Sequence, residues 1–408
     1  MEKKLLQDYA RLIAAMGANV EKGDEVWIEA GLDQPEFVYM VAEECYKLGA
    51  RHVEVRFSYD QMARLHYKYM KLSDLSKLSP YSLARLKYFA KKLPTRVYIV
   101  SEDPDGLKGV DQAKMAKSSM RIYPKIKKYR DAADGKYKWC IVGVPGTAWA
   151  KKVFPGLEDD EAVEKLWEAI LHTSRVDGND PVENWKKHND FLVKQRTKLH
   201  DLDLRKLYYK AGNGTNFEVE LIPGIYWGAG IEDIPNKGSF NPNIPSEEVF
   251  TSPMAGKCEG TLVASKPLSY NGELIEDFSI TFKDGKVSEV HAKKNQKLLE
   301  QMVSMDEGAK MLGEVALVPY TSPINQTGIL FYNTLYDENA CCHVALGIGF
   351  KECLGLGADI TTEEAKAKGI NDSMIHVDFM IGTPDLDIVG VDAKGNKHQI
   401  FKDGEWAF

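Results

Sequence analysis

The chain has 408 residues, of which 44% are hydrophobic and 28% are charged, and its formal charge is −7 at pH 7. These values are typical of a globular protein with full apolar cores, and they exclude a disordered chain. The acidic balance argues against a protein that binds nucleic acid with its whole surface. No apolar run reaches the roughly 20 residues that a membrane helix needs. At about 150 residues per domain, the length predicts two or three domains.

The cysteines indicate a reducing compartment. They show neither a CxxC pair nor a regular spacing, and they are Cys45, Cys140, Cys258, Cys341, Cys342 and Cys353. The first 30 residues have the pattern of an amphipathic helix followed by a strand, which differs from a secretion signal. We therefore expect a cytoplasmic protein with reduced, buried cysteines.

The first half alternates helical and strand patterns. Apolar residues from Leu5 to Met16 recur at helical spacing, and Pro35 suits the first turn of a second helix. Strands are predicted at residues 26–28, 52–57, 96–100 and 139–144, and further helices at residues 159–172 and 181–198. Strands that alternate with helices predict an α/β domain with a mostly parallel sheet. The phosphate-binding motifs GxGxxG and GxxxxGK[ST] are missing from this pattern, which disfavours a nucleotide-binding protein.

A basic segment interrupts this half. Residues 106–138 contain ten Lys or Arg against three Asp, and we interpret them as a solvated helix face rather than a site for an acidic partner. Charge-rich stretches at residues 175–180 and 200–205 predict a boundary near residue 200. The predicted domains are therefore residues 1–200 and 201–408.

The second half has more strands and fewer helices. Strand-like runs are predicted at residues 207–209, 217–221, 260–264, 274–282 and 286–291, and helices at residues 295–307 and 362–368. The turn sequence KDGK at residues 283–286 is typical of a β-hairpin. These patterns predict an α+β domain with a largely antiparallel sheet.

Four clusters in this half combine carboxylates with imidazoles. His376 and Asp378 share one strand face in MIHVDFMI, where a structural hydrogen-bonded pair is the alternative to a metal site. Glu314 interrupts the apolar run LGEVALVP, where a buried carboxylate needs a cation. The other two are DENACCH, which ends at His343, and PSEEVF, where Ser246 is alternatively a helix cap. Such a donor set suits paired zinc, cobalt or manganese ions.

Four segments closely resemble the thermophilic aminopeptidase family of metallopeptidases, which includes aminopeptidases T and S. They are NPNIPSEEVFTSP, MLGEVALVP, YDENACCHVALG and NDSMIHVDFMIGTPDLDIVG. The opening GANVEKGDEVWIEA is similar to that family's first strand and its preceding turn, and the similarity follows nearly the whole chain in order. The resemblance implies a cytoplasmic, homodimeric metallo-exopeptidase. Its N-terminal domain would be α/β, and its C-terminal catalytic domain would hold two divalent metal ions.

The resemblance also implies a ligand set. Matched motif to motif, the metal ligands are Glu248, Glu314, His343, His376 and Asp378, with Glu338 as a sixth. The family pattern places the EEVF ligand directly before Val-Phe, which selects Glu248 over Glu247. Glu314 is then the bridging carboxylate and steers the proton of the attacking water. Zinc or cobalt is the expected metal, with manganese or magnesium as the alternatives.

One residue departs from the family pattern. Phe350 stands seven residues after His343, where family members tend to carry a tyrosine beside the metals. Phenylalanine keeps the ring but can neither donate a hydrogen bond nor bind metal, and loss of an oxyanion donor costs on the order of 100–1000-fold in turnover. Three outcomes stay open: a slow enzyme, a hydroxyl supplied by Tyr320, Tyr332 or Tyr336, or a changed role with the metals retained.

The sequence therefore predicts a metalloaminopeptidase that removes N-terminal residues from short peptides with a free N-terminus. The alternative is a metal-retaining peptide-binding protein or a homologue of low activity, because of Phe350. A nucleotide-binding α/β protein is a further alternative, which the missing phosphate-binding motifs disfavour.

Overall fold

The computed structural model describes residues 1–59, 61–235, 237–355 and 360–408, and it divides into two compact units. The first unit consists of Met1–Asp190, Gly230–Ser246 and Leu330–Leu335, and the second of Phe191–Ala229, Glu247–Ile329 and Tyr336–Phe408. With the predicted boundary at residue 200, the chain would pass from the first domain to the second once. In the structure, two later segments belong to the first unit again.

The first unit contains a five-stranded sheet in which every pairing is parallel. In spatial order its strands are Asn243–Ile244, Trp139–Gly143, Thr95–Val100, Glu25–Gly31 and His52–Ser58. The predicted α/β domain with a mostly parallel sheet is confirmed. The two-residue strand that comes first in this order was not predicted, and a separate antiparallel pair joins Glu232–Ile234 to Gly238–Phe240.

Helices make up most of the remaining first unit. They are Lys3–Leu12 with the π-helical turn Ile13–Gly17, Pro35–Lys47, Gln61–Tyr69, Leu72–Leu75, Pro80–Lys92, Gln112–Ala133, Thr147–Val153 and Asp159–Thr173. The helix Pro181–Leu202 carries the chain into the second unit. The basic segment lies largely in the helix that Asp111 caps by accepting the Lys114 N–H. The buried residues of that helix are Ser118 and Ala133. Nζ of Lys114 donates to the carbonyl oxygens of Tyr67 and Met70, and Nζ of Lys125 donates to that of Ser76. The interpretation of the segment as a solvated face stays a prediction.

The two faces of the strand Glu25–Gly31 differ in chemistry. Val26 and Ile28 are fully buried on one face, as expected for a strand inside a parallel sheet. The opposite face carries Trp27, which is level with Glu54 and Arg96 on the neighbouring strands. This face of the sheet therefore holds charged and aromatic side chains.

The second unit contains a nine-stranded antiparallel sheet. Its strands in spatial order are Leu268–Tyr270, Glu273–Lys283, Pro253–Val263, Asn216–Leu221, Leu204–Lys210, Asp387–Asp392, Lys397–Lys402 and Glu405–Trp406, with Lys286–Lys294 also paired to Glu273–Lys283. The predicted hairpin turn is confirmed, since Lys283 pairs with Lys286. Gly285 in this turn has φ +77°, and a Cβ there would lie 1.9 Å from the carbonyl oxygen of Gly256, so only glycine fits.

A second antiparallel sheet of five strands packs into the same apolar core. Its order is His376–Met380, His343–Gly347, Leu312–Leu317, Val249–Thr251 and Gly228–Ala229. Buried residues from both sheets, including Phe278, Leu317 and Phe379, belong to one cluster. The largely antiparallel α+β domain predicted for the second half is therefore confirmed.

Short helices connect these strands. They are Gln296–Val303, Pro323–Gln326, Thr334–Asp337 and Thr362–Ala367, with 3₁₀ turns at Gly308–Lys310, Glu338–Ala340 and Lys351–Leu354. The helix predicted for residues 295–307 was too long, because it ends at Val303. The carboxylate of Asp306 instead accepts the backbone N–H groups of Ala309 at 2.7 Å and Met374 at 2.6 Å. Such side-chain to backbone bonds compete with a helix.

All six cysteines are buried and free, as predicted. In the parts of the chain that the structure describes, no helix combines the length and the apolar character that a membrane crossing requires.

Candidate metal centre

Four of the predicted ligands lie on three adjacent strands of the antiparallel five-stranded sheet in the second unit. These strands are Leu312–Leu317, His343–Gly347 and His376–Met380. Glu314 is level with Ala345 on the next strand, and Ala345 is level with Asp378 on the strand beyond. Paired residues of antiparallel strands share a face, as do residues two apart on one strand. The side chains of Glu314, His343, His376 and Asp378 therefore emerge on the same face of the sheet.

Glu248 joins them from the opposite side of the central strand. It directly precedes the strand Val249–Thr251, whose Val249 pairs with Leu317. Its Oε2 lies 3.1 Å from Nε2 of His343. The alternative role of Ser246 as a helix cap is excluded, because a strand rather than a helix follows it.

The ligand atoms form two groups that share one residue. Glu248, Glu314 and His343 make the first group, and Glu314, His376 and Asp378 make the second. Within each group the ligand atoms all lie within 4.8 Å of one another. Four of these side chains are buried, and the His376 side chain keeps 25% of its surface exposed. Glu314, for which the family resemblance implies the bridging role, is the residue that the two groups share.

Backbone carbonyls orient both imidazoles. Nδ1 of His343 lies 3.3 Å from the carbonyl oxygen of Cys341, and Nδ1 of His376 lies 2.8 Å from that of Ile348. Since a carbonyl only accepts, each Nδ1 carries the proton and donates it. In a neutral imidazole this leaves a lone pair on Nε2, the nitrogen that faces the carboxylates. This orientation is typical of metal-ligating histidines.

Without a cation, several groups of the centre bind protons at neutral pH that they would not bind in water. Burial lowers the pKa of His343, but the hydrogen bond and charge of Glu248 outweigh burial and raise the pKa to about 9. Burial also lowers the pKa of His376, yet Asp378 and Glu314 raise it well above its ordinary value. Burial raises the pKa of Glu314 to about 7. These pKa shifts share one cause, which is that several carboxylates are concentrated in one buried site.

The same residues fit a divalent cation. Oδ1 of Asp378 is buried and accepts no hydrogen bond, although Nε2 of His376 lies 3.3 Å away. Two imidazole lone pairs and three carboxylates that converge are the donors that zinc and related ions prefer. A cation between them would satisfy the orphaned oxygen and remove the need for the extra protons.

Glu338 lies outside both groups but close to them. Burial raises its pKa well above the ordinary range, and the negative charges of Asp378, Glu248 and Glu314 add to this effect. The 3₁₀ turn Glu338–Ala340 places it at the edge of the centre. Its role as a sixth ligand stays a prediction.

Sequence reasoning missed the neighbouring residue Asn339. This side chain is fully buried, and its Oδ1 accepts the backbone N–H of Glu247 at 2.7 Å. Its Nδ2 faces Oε1 of Glu338 at 3.4 Å. Asn339 therefore ties the segment that carries Glu248 to the turn that carries Glu338. The sequence did offer a signal for this role, since the amide of Asn339 stands directly after the predicted ligand Glu338 and shortly before an apolar strand.

Phe350 packs against the centre through its ring. The ring centroid lies 5.0 Å from that of His376 and 5.3 Å from that of Phe250. The Phe350 backbone N–H donates to Oγ of Ser252 at 2.7 Å. Phe250 in turn lies over Gly228, where a Cβ would come within 2.5 Å of its ring. The phenylalanine at the expected tyrosine position thus forms part of an aromatic wall beside one imidazole.

Comparisons with known proteins show relatives along the whole chain. Aminopeptidase 2 of Geobacillus stearothermophilus is 38% identical over 408 residues, which cover 100% of this chain and 98% of that protein. Aminopeptidase AmpS of Bacillus subtilis is 37% identical over 405 residues, with 99% and 98% covered. The solved structure of wild-type AmpT from Thermus thermophilus has a TM-score of 0.89 and 33% identity, and the match covers 100% of both chains.

The family model described as thermophilic metalloprotease (M29) matches residues 2–406. The match therefore includes both units and every residue of the candidate centre. The resemblance predicted from the sequence motifs is confirmed. This chain belongs to the M29 family of thermophilic metalloproteases.

Proposed function

We propose that the protein is an aminopeptidase that hydrolyses the N-terminal peptide bond of short peptides at a centre for two divalent metal ions. The predicted enzyme class, a metal-dependent aminopeptidase, is confirmed by the family and by its curated relatives. The observation that carries the two-ion proposal is the pair of ligand groups that share Glu314. The alternative of a binding protein with little turnover is not favoured, because those relatives are named aminopeptidases.

The charges of the centre support two ions rather than one. Glu248, Glu314, Glu338 and Asp378 carry four negative charges when ionised, and two divalent cations balance them with both histidines neutral. With a single ion, two of these buried carboxylates would have to be neutralised by protons instead, consistent with the raised pKa values of Glu314 and Glu338 in the metal-free centre. Glu248 and His343 would hold one ion, His376 and Asp378 the other, and Glu314 both.

Bound divalent ions polarise a carbonyl oxygen and lower the pKa of water, so that a nucleophile forms at neutral pH. The chain's own residues do the rest. Glu314 takes the proton from the attacking water and delivers it to the leaving amine. The carbonyls of Cys341 and Ile348 hold the two imidazoles in one tautomer, so that Nε2 faces inward.

A free N-terminus also distinguishes the substrate. Its amine, when unprotonated, offers a nitrogen lone pair that would bind at the loaded centre, because nitrogen donors suit these ions. A blocked N-terminus lacks this donor and should be a poor substrate. We propose zinc or cobalt as the working metal, with manganese or magnesium as alternatives, because the donors are a mixture of nitrogen and oxygen. A homodimer in the cytoplasm remains the expectation from the family resemblance.

Two neighbouring carboxylates provide the test. Glu248→Gln should lower the metal content of purified protein by about one ion and lower the hydrolysis of a leucyl anilide by at least about 100-fold. Glu247→Gln is the matched control, since Glu247 is equally buried but belongs to neither group. We expect it to keep both ions and most of its activity. Equal metal content in the two variants, or wild-type protein with only trace metal before and after reconstitution, would refute the proposal.

A further inference from the structure

The first unit contains a cavity far in sequence from the candidate metal ligands. Its volume is about 290 Å³. It lies between the charged face of the parallel sheet and the helix Pro80–Lys92, and its lining includes Arg56, Arg85 and Arg96. Three guanidinium groups around one small cavity are unusual unless anions balance them.

Two carboxylates balance two of these arginines. Arg85 contacts Oε1 of Glu54 at 2.5 Å and Oε1 of Glu29 at 3.1 Å, and Arg96 contacts the same Glu29 oxygen at 2.7 Å. Arg56 forms no ion pair or hydrogen bond within the described part of the chain. Arg56 is exposed at the mouth of the cavity, where it supplies one positive charge in surplus.

The paired guanidinium groups lie over aromatic rings. Cζ of Arg85 lies 3.9 Å from the ring centroid of Trp27, and Cζ of Arg96 lies 4.5 Å from that of Tyr98. These contacts and the ion pairs fix both side chains. Tyr81, at the positive N-terminal end of the helix, also lines the cavity.

We propose that this cavity binds a small organic anion that carries one carboxylate on a flat apolar body. One surplus charge matches one carboxylate, and the planar fork of Arg56 can bind it through two parallel hydrogen bonds. The exposed ring of Tyr81 and the side chain of Leu86, both in the lining, provide an apolar wall for the body of the ligand. A phosphate dianion would leave a negative charge unbalanced. The site is independent of the metal centre and of the proposed peptidase activity.

Phenylacetate is a suitable probe, and its binding to full-length, metal-loaded protein can be measured by calorimetry. We expect Arg56→Gln to bind it at least about tenfold more weakly, since a hydrogen bond to a charged group is lost. Arg121→Gln is the matched control: Arg121 is exposed and does not line the cavity, and its substitution changes the net charge equally. Glu314→Gln should also leave phenylacetate binding unchanged, which separates the cavity from the metal centre.

Further probes test the chemistry of the ligand. Benzylamine and phenyl phosphate should bind more weakly than phenylacetate, because one has the wrong charge and the other one charge too many. Tyr81→Ala, at a side chain that is 69% exposed, should weaken phenylacetate binding severalfold without affecting the fold. No phenylacetate binding at millimolar concentration, equal binding by Arg56→Gln and wild type, or tighter binding of phenyl phosphate would each overturn the proposal.

Discussion

His376 is held between a carboxylate and a backbone carbonyl: its Nε2 lies 3.0 Å from Oε2 of Glu314, and its Nδ1 lies 2.8 Å from the carbonyl oxygen of Ile348. A neutral imidazole can donate only one of these two hydrogen bonds. The lone pair of the other nitrogen then faces an oxygen lone pair, and no proton lies between these two acceptors. Either a second proton or a metal ion resolves this conflict, and the predictions below distinguish the consequences of each.

The first prediction concerns the shared carboxylate. Glu314→Gln keeps the size of the side chain but removes a charge that both ligand groups use. We expect the content of divalent metal to fall by at least one ion, and turnover to fall by about 10²–10⁴-fold, as for loss of a general base. Metal analysis and hydrolysis of a leucyl anilide with added cobalt or zinc measure the two effects. Normal turnover with both ions bound would show that Glu314 has neither role.

The second prediction concerns pH. In the metal-free protein, burial lowers the pKa of His343, but Glu248 outweighs it and raises the pKa from 6.5 to about 9. A metal ion needs the neutral imidazole, so binding at pH 7 must release protons, and affinity must fall as the pH falls. Calorimetry in two buffers of different ionisation enthalpy measures this release. We expect loss of metal and of activity below about pH 6; full activity at pH 5 would contradict this.

The same shift predicts the opposite pH dependence for the stability of the metal-free protein. The folded-state pKa of His343 lies above its unfolded value of 6.5, so protonation favours the folded state. This contribution is complete below pH 6.5 and is lost as the pH rises through about 9. Chelator-treated protein should therefore unfold at lower temperature at pH 9 than at pH 6.5, while metal-loaded protein should not show this loss. Equal midpoints at both pH values in chelator would contradict the prediction.

The third prediction concerns the aromatic wall. Phe350→Ala removes the ring that packs on His376 and Phe250, so the imidazole loses a lateral support. We expect the free energy of unfolding to fall by up to about 3 kcal/mol, and metal affinity to fall by about tenfold. Phe350→Tyr is the control that keeps the ring, and it should retain both properties. If Phe350→Tyr also raises turnover markedly, the missing hydroxyl limits the natural enzyme.

The fourth prediction concerns Asn339, which we interpret as a positioning residue. Asn339→Ala leaves the buried N–H of Glu247 without its acceptor and should cost about 1–3 kcal/mol of stability. Because the segment next to Glu248 is then free to shift, we also expect metal affinity to fall by about 10–100-fold. Asn241→Ala is the matched control. Asn241 is fully buried and hydrogen-bonded to Asn189, and both residues belong to the first unit, which contains none of the candidate ligands. It should lose stability but keep its metal affinity.

The strand patterns predicted much of the centre. Alternation placed His376 and Asp378 on one face, and both belong to the same ligand group. The position of Glu314 in an apolar run predicted a buried carboxylate that needs a cation. Its burial is confirmed. These features are local, because they depend on periodicity within a single strand.

Long-range pairings were beyond sequence reasoning. Nothing in the two-residue strand Asn243–Ile244 indicates that it pairs with Trp139–Gly143, about one hundred residues earlier. Asn339 looked like an ordinary turn residue, since its partner Glu247 lies 92 positions away. The family pattern selected Glu248 over Glu247, and both carboxylates are buried. The contact of Glu248 with His343 distinguishes them in physical terms.

Because Glu314 belongs to both ligand groups, the binding of two ions at the proposed centre would not be two independent equilibria. The first ion would order the shared carboxylate and displace protons, so the second ion would meet a prepared but less negative site. By thermodynamic linkage, each ion changes the affinity for the other by the same factor. If both ions are needed for turnover, the active fraction rises with the square of the free metal concentration when metal is scarce. The protein would then respond to metal supply more steeply than an enzyme that uses a single ion.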